Sequence, residues 1–366
     1  MSPRQGGVRA ARLTDLAALG ELSRLAHPAS IDGPGNGRAE ASGDGQEPRM
    51  RSLGLPVPTA HVSVFSLFRM PLGAFQPHDQ LYVYDDAGRL SGLARVERDA
   101  QRDEWTIVEL DAVDHGDAGD IRYRLVQHLL RDGSRRGASR FHVACADTDG
   151  NVELFMQAGF ARYGEEVVLF RAPEEPLPGL RGMDAGGLRI RPAVPQDALA
   201  LDRLYRRVTP APVARFEDYR LVDWEHAGGR PGIPRTSLTP LLRFADLEAF
   251  VQEAQSGAPG ALTALLQLGV AKEHQPHYLR VVSLPDHDPV DLIRFGLATI
   301  NARTGAERSR RAHGHEHGVL SCVRTYESPL DRRLEEQGLR AVASVSLLMK
   351  EALVRVAQPA LVPAIR

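Results

Sequence analysis

The feature that most constrains this chain is that it repeats itself. Arg9, Ala11, Asp15, Ala18, Leu19, Leu22 and Arg24 return 182 residues later as Arg191, Ala193, Asp197, Ala200, Leu201, Leu204 and Arg206. DHGDAGDIRYRL at 114–125 returns as DHDPVDLIRFGL at 286–297, an offset of 172. FHVAC ends at Cys145 and VLSC at Cys322, 177 apart, while LFMQAGF and LEEQGL align Gly159 with Gly338, 179 apart. Four matches in one order at nearly constant spacing point to a duplicated domain rather than one large core. A length of 366 residues suits two ordinary domains.

The composition shifts where the repeat breaks. Residues 172–187, APEEPLPGLRGMDAGG, are rich in Pro and Gly without an apolar period, which reads as a linker between residues 1–171 and 188–366. Residues 28–54 are rich in Gly, Ser and Asp and read as a flexible insertion in the first half.

Within each half a short strand leads into a helix. Ala198, Leu201, Leu204, Tyr205 and Val208 recur at helical spacing. Three strand-like runs come next (LYVYDD, LSGLARVERD and WTIVELDAV in the first half), then a helix, a buried strand through the cysteine, a helix ending at glycine, and a closing strand. The expected order is β–α–β–β–β–α–β–α–β. A strand–helix–strand crossover beside a meander implies an α/β fold with a mixed sheet flanked by helices, made twice.

Composition narrows the function classes. A formal net charge of −2 gives no global basic field for nucleic acid or anionic membrane. No apolar run is long enough to span a bilayer, and the N-terminus shows no secretory signal. Two cysteines make no disulfide framework, so a cytoplasmic protein is expected. Both sit in apolar strands and read as buried thiols. His313, His315 and His317 alternate in RRAHGHEHGV, but the glycines favour a loop, and no metal site is expected.

The opening patterns VRAARLTDLAALGELSRL and LRIRPAVPQDALALDRLYRRV resemble the GNAT N-acetyltransferase superfamily. So do the central strand and helix WTIVELDAV…IRYRLVQHLLRDGSRRG, and the closing segments LFMQAGFARYGEEVVLFR and LEEQGLRAVASVSLLMKE. The tandem arrangement is similar to that of mycothiol synthase-like proteins. The resemblance implies two tandem acyl-CoA N-acyltransferase-like domains, acetyl-CoA as co-substrate, and an amine of a small molecule or peptide as acceptor.

The family's phosphate-binding signature is degenerate here. It asks for Arg or Gln, two residues, Gly, one residue, then Gly or Ala. The corresponding windows are Asp117–Arg122 and Pro289–Arg294, and neither holds a signature residue. Asp114, Asp117 and Asp120 crowd the first helix start and Asp286, Asp288 and Asp291 the second, where carboxylates cap a helix but repel a pyrophosphate. By elimination the cofactor-binding loop is Gly116, Asp117, Ala118, Gly119, Asp120 and Ile121, which has two glycines where the second copy has Pro289. The tyrosine that many members place four residues before the closing glycine is replaced by Phe155 and Leu334. Glu109 is the candidate base, with Asp111 two residues on; its counterpart is Val281. Tyr326, just past the Cys322 strand, is the candidate proton donor. Two readings stay open at this point: an N-acyltransferase, and a duplicated fold that has lost catalysis and binds a ligand or protein.

Overall fold

The computed structural model describes residues 6–15, 17–19, 21–22, 49–50, 53–57, 79–99, 102–113, 118–173, 177–179, 185–225, 234–242, 244–255, 260–271, 275–308 and 318–352. The first half holds β1 (Gly7–Ala10), β2 (Arg49–Met50), β3 (Pro56–Val57), β4 (Asp79–Asp86), β5 (Arg89–Asp99) and β6 (Glu104–Ala112). Then come α1 (Ala118–Arg135), β7 (Arg140–Ala146), α2 (Asn151–Gln157) and β8 (Ala161–Arg171). The second half runs β9 (Ile190–Pro192), α3 (Ala198–Val208), α4 (Ala211–Glu217), α5 (Leu221–Glu225), β10 (Phe244–Glu253), β11 (Leu262–Ala271) and β12 (His277–Ser283). It closes with α6 (Val290–Arg308), β13 (Val319–Arg324), α7 (Leu330–Glu335) and β14 (Arg340–Glu351).

The repeated residues do the same work twice. Arg9 grips both oxygens of Asp15 at 2.6 and 2.9 Å, and Asp15 also accepts the Arg12 backbone N–H at 2.7 Å. Arg191 grips Asp197 at 2.7 Å through both nitrogens, and Asp197 accepts the Val194 N–H at 2.9 Å. A bidentate guanidinium–carboxylate pair thus fixes the turn after each opening strand. Gly159 and Gly338 both take left-handed φ, +88° and +86°. Past them the Phe160 N–H reaches Phe155 O at 3.0 Å and the Leu339 N–H reaches Leu334 O at 3.2 Å, the same glycine-dependent helix stop in both halves.

The strand order is β1-β4-β5-β6-β7-β14-β8-β13-β12-β11-β10-β9 in one sheet of 12 strands. Only β6–β7 and β12–β13 are parallel among the described pairs. The closing strands are exchanged: β14 of the second half pairs with β7 of the first, β8 of the first pairs with β13 of the second, and β8 and β14 pair with each other at the centre. Each half therefore completes the other's sheet.

On one face α1 packs Ile121, Leu125 and Leu129 against Ile107 and Leu110, and α6 packs Leu292, Ile293 and Leu297 against Leu266 and Leu279. Gly92 lets α1 come close, since a Cβ there would meet Ile121 at 2.5 Å. The opposite face carries α3 and α5 through Leu201, Tyr205 and Trp224. Residues 28–48, 51 and 52 of the expected insertion lie outside the described residues. Leu53, near its end, is buried in the core, and its carbonyl accepts the Ala146 N–H at 2.8 Å. The apolar side chain wins there over the polar composition of its neighbours. Among the described residues no helix is long and apolar enough to cross a membrane.

Candidate active site

The two parallel pairs part company along their length. The β6–β7 pairing ends at Ile107↔Val143, although β6 runs on to Ala112 and β7 to Ala146. The β12–β13 pairing ends at Leu279↔Ser321, although those strands continue to Ser283 and Arg324. Each copy therefore has a gap between diverging central strands. The residues just past the last pair are Val108 and Arg280, and they differ in both backbone and side chain.

In the first copy the register slips by one: Ile107 faces Val96 and Glu109 faces Arg95, so Val108 is the extra residue of a β-bulge. A bulged residue is left out of the ladder and re-aims the side chains after it. Ile107 and Leu110 pack against α1, while Thr106 and Val108 line the other face. The bulge thereby places Glu109, which would otherwise share Ile107's face, on the face away from α1 with Arg95. In the second copy the register runs unbroken from Gly269↔Tyr278 to Ala264↔Ser283. There Arg280, only 1% exposed, fills the gap. Its Nη1 donates to Val281 O at 2.6 Å and across to Cys322 O at 3.0 Å, and its Nη2 pairs with Glu327 at 2.5 Å.

Beneath the first gap, on the face away from α1, lies a cavity of about 30 Å³. Its floor is Thr106, Val108, His142 and Ala144; its walls are Tyr163 of β8, Leu347 of β14 and Arg324 of β13. Its roof is the second half's loop from Arg235 to Leu241. The strand exchange is what brings Arg324 here.

The surrounding charges are largely paired. Glu104 lies 3.2 Å from Arg102, 3.2 Å from Arg235 and 3.4 Å from His142. Burial alone would raise its carboxyl, but His142, Arg235 and Arg102 outweigh that and hold it at about 2. Burial pushes His142 below the ordinary imidazole value against the pull of Glu104, so the ring is neutral near pH 7. Arg324 Nε lies 3.3 Å from Glu166, and its Nη2 donates to Glu217 at 2.7 Å and to Arg235 O at 2.6 Å. Glu217 is raised by burial in spite of Arg324 and of the Tyr205 hydroxyl, which donates to it at 2.5 Å. Four buried nitrogens of residues that line the cavity have hydrogen-bonding capacity to spare. Arg324 Nη1 and His142 Nδ1 have no hydrogen-bond partner, while Arg235 Nη1 and His142 Nε2 have only their 3.2 and 3.4 Å approaches to Glu104, without hydrogen-bond alignment.

Of the residues singled out by sequence, Glu109 sits beside the bulge with its carboxylate 3.1 Å from Arg95 Nε. Tyr326 belongs to the other copy, in the turn after β13, where it is bonded to Thr209 and raised by burial. Four strand spacings separate β6 from β13, roughly 19 Å, so Glu109 and Tyr326 do not face one reacting centre. Gly116 and Asp117 lie outside the described residues. Ala118, Gly119 and Asp120 form the exposed first turn of α1, with open space around Gly119 and Asp120 paired to Arg124 at 2.8 Å. Ile121 is a core residue under Gly92 rather than part of a loop. Arg122 turns inward to Asn151 and the Asp149 carbonyl. In the second copy Asp288 accepts the Val290 N–H at 3.2 Å, so that helix start is capped by its own aspartate, and Arg294 is engaged by Gln337 at 3.1 Å. Cys145 and Cys322 are buried, the first raised to about 12 by burial, which leaves them inert. Phe155 and Leu334 are both core residues. The three alternating histidines lie outside the described residues, and no metal-binding group occurs among those described.

His142, Arg235, Arg280 and Arg324 were missed by sequence reasoning. The available signal was a polar residue inside an apolar strand: His142 in RFHVACA, Arg280 in HYLRVVSL and Arg324 in VLSCVR. Arg235 sits in a proline-rich loop and gave none.

No family model and no curated protein matches the sequence. Solved structures do match in three dimensions. A GCN5-related N-acetyltransferase from Sphaerobacter thermophilus is similar over 96% of this chain and 97% of its own, at 14% identity and a TM-score of 0.50. A tandem GNAT protein from the clavulanic acid biosynthesis pathway, solved without AcCoA, is similar over 95% and 98%, at 12% identity and a TM-score of 0.50. The fold is the GNAT N-acetyltransferase fold. It is built here in tandem. A fungal multi-domain β-N-acetylglucosaminidase with a GCN5-related glucosamine N-acetyltransferase region matches over 96% of this chain and 38% of its own, at 13% identity and a TM-score of 0.52. The expected GNAT fold class is thus present; the likeness at these identities is one of fold.

Proposed function

We propose that this chain is an acyl-CoA-dependent N-acyltransferase with one working copy, the first, and that the second GNAT unit serves as its scaffold. The observation that carries this reading is the contrast at the gap. Val108 lines the cavity under the first gap, and its bulge takes it out of the β5–β6 ladder, where a backbone N–H freed from pairing would serve a thioester carbonyl. Arg280 and Glu327 fill the second gap. The residues fit an acyl-CoA arm in the first copy and not in the second. The pyrophosphate falls to the exposed first turn of α1, at Ala118 to Asp120, and to Gly116 and Asp117 before it.

In this reading an acceptor amine attacks the thioester carbonyl carbon, a C–N bond forms, the C–S bond breaks and CoA leaves as the thiolate, which takes a proton from solvent as Glu109 returns one to it. The amine proton goes to Glu109, next to the bulge, whose carboxylate is held in place by Arg95. Titration of the whole chain with acetyl-CoA in a calorimeter tests the reading. One molecule bound per chain, lost in Val108→Arg, is expected. Two per chain, none at all, or one that survives Val108→Arg overturns it. Failure to bind at all would favour the non-catalytic binding module.

A further inference from the structure

The cavity under the first gap also indicates what kind of amine it receives. We infer that the acceptor carries a carboxylate close to its amine, as an α-amino acid does, and that Arg324 and Arg235 bind that carboxylate. The inference rests on the acyltransferase reading for the word acceptor, but the carboxylate site stands on its own observations.

A buried donor without a partner costs free energy, and proteins rarely leave one in place. Here two guanidinium nitrogens from two different segments, Arg324 Nη1 on β13 and Arg235 Nη1 on the loop, line one small cavity without a hydrogen bond to satisfy them. Arg324 has a side chain only 2% exposed, and its other nitrogens are taken by Glu166, Glu217 and a carbonyl. Its orientation is therefore fixed, with Nη1 left over. Arg235 is 22% exposed, so one guanidinium stays at the edge of the cavity, with Glu104 as its charge partner. The Tyr163 ring lines the same space, and burial keeps its phenol protonated. Planar forks suit a planar carboxylate. About 30 Å³ holds roughly two waters, room for the two carboxylate oxygens, so the amine end of the acceptor has to lie at the cavity's edge toward Val108 and His142.

The imidazole has the opposite character. Glu104 lies 3.4 Å from His142 Nε2, and although that nitrogen makes no aligned hydrogen bond, the nearby carboxylate favours the tautomer that carries the proton there. Nδ1 is then a lone pair on the cavity, suited to an amine N–H and not to an anion. Two donors for a carboxylate and one acceptor for an amine thus share one cavity, and Val108 at the bulge lines it too. Glu104, Glu166 and Glu217 ring the site with negative charge, which offsets the arginines and disfavours a dianion such as phosphate.

The test uses the full chain and small probes. Acetate, acetamide and inorganic phosphate are each titrated while the Tyr163 and His142 resonances are followed by NMR. Saturable binding of acetate, with acetamide and phosphate weaker by roughly 100-fold, is expected. Arg235→Lys, which keeps the charge but loses the fork, should weaken acetate about 10-fold. In the presence of acetyl-CoA, glycine should be acetylated and glycinamide far less. Equal response to acetate and acetamide, tighter binding of phosphate, or an acetate response untouched by Arg235→Lys overturns the carboxylate site. If acetate binds as expected but acetyl-CoA does not, the acyltransferase reading falls and the carboxylate site remains. If acetyl-CoA binds and acetate does not, only the inference falls.

Discussion

Val108 and Arg280 occupy the same place in the two GNAT copies, one residue past the last parallel pair, and they do opposite things there. Val108 sits in a bulge and keeps the gap between β6 and β7 clear. Arg280 sits in regular register and bridges β12 to β13 through the Cys322 carbonyl. A duplicated sheet needs both central strands for its core, but only one of its two gaps has to receive a ligand. The other is free to be filled by an ion pair whose removal is costly. On the proposed reading, stability and binding are divided between two copies that keep the same strand order.

The sharpest way to break the comparison is to remove the filling. Arg280→Ala leaves the buried Glu327 carboxylate without its charge partner, with only the Arg324 backbone N–H to hold it at 2.9 Å, and about 3–5 kcal/mol of stability should be lost in urea unfolding. Val108→Ala at the matching site should cost only about 1.5 kcal/mol. Equal costs would mean that Arg280 is not holding its gap together. Making the first copy like the second is the next test. Val108→Arg should reduce acetyl-CoA affinity by roughly 100-fold, about 2.7 kcal/mol, in the same calorimetric titration.

Glu109 distinguishes the copies chemically, since its counterpart is Val281. Glu109→Gln should lower turnover by about 10²-fold with little change in acetyl-CoA affinity, read from initial rates against binding. A matching fall in affinity would move Glu109 from proton transfer to structure.

Acid should reveal the first copy's buried charges. Glu104 titrates at about 2 in the fold against 4.5 for a free glutamate. Its contribution, on the order of 3 kcal/mol, is present above about 4.5 and is lost as pH falls toward 2. His142 is also lowered, so its contribution is full above its free value of 6.5 and declines as pH falls below it. Glu217 is raised and partly offsets these losses in acid. The urea midpoint should therefore drop between pH 7 and pH 5 and again below pH 4, and Glu104→Gln should flatten the lower step. A midpoint independent of pH in wild type would contradict the assigned shifts. The smallest expected effect is at the helix start. Asp117→Asn with Asp120→Gly should tighten acetyl-CoA a few-fold at low salt, and the gain should fade as salt is added, because exposed charges are screened.

Much of the architecture was legible in the residues. Arg9 with Asp15 and Arg191 with Asp197 are local pairs, six residues apart, and each fixes a turn wherever the rest of the chain goes. Gly159 and Gly338 stop their helices through a backbone conformation that depends on their own lack of a Cβ. Local physics of this kind survives in sequence, so the repeat could be read. The site was only half legible. Glu109 was visible as a carboxylate on a central strand, but not that a bulge turns it to the face away from α1. Tyr326 was on a strand end as expected, yet four strands away from Glu109.

Spacing, residue type and neighbours along the chain set a duplicated mixed α/β fold, its turns, its helix stops and the burial of both cysteines. Long-range packing set the rest: β8 and β14 change places, Arg324 and Arg235 of the second half meet His142 of the first, and Arg280 closes one gap while Val108 leaves the other clear. Hydrogen bonding between strands is satisfied equally well by either closing strand, and a charge is stable in the interior wherever partners converge on it. Neither choice leaves a mark at short range.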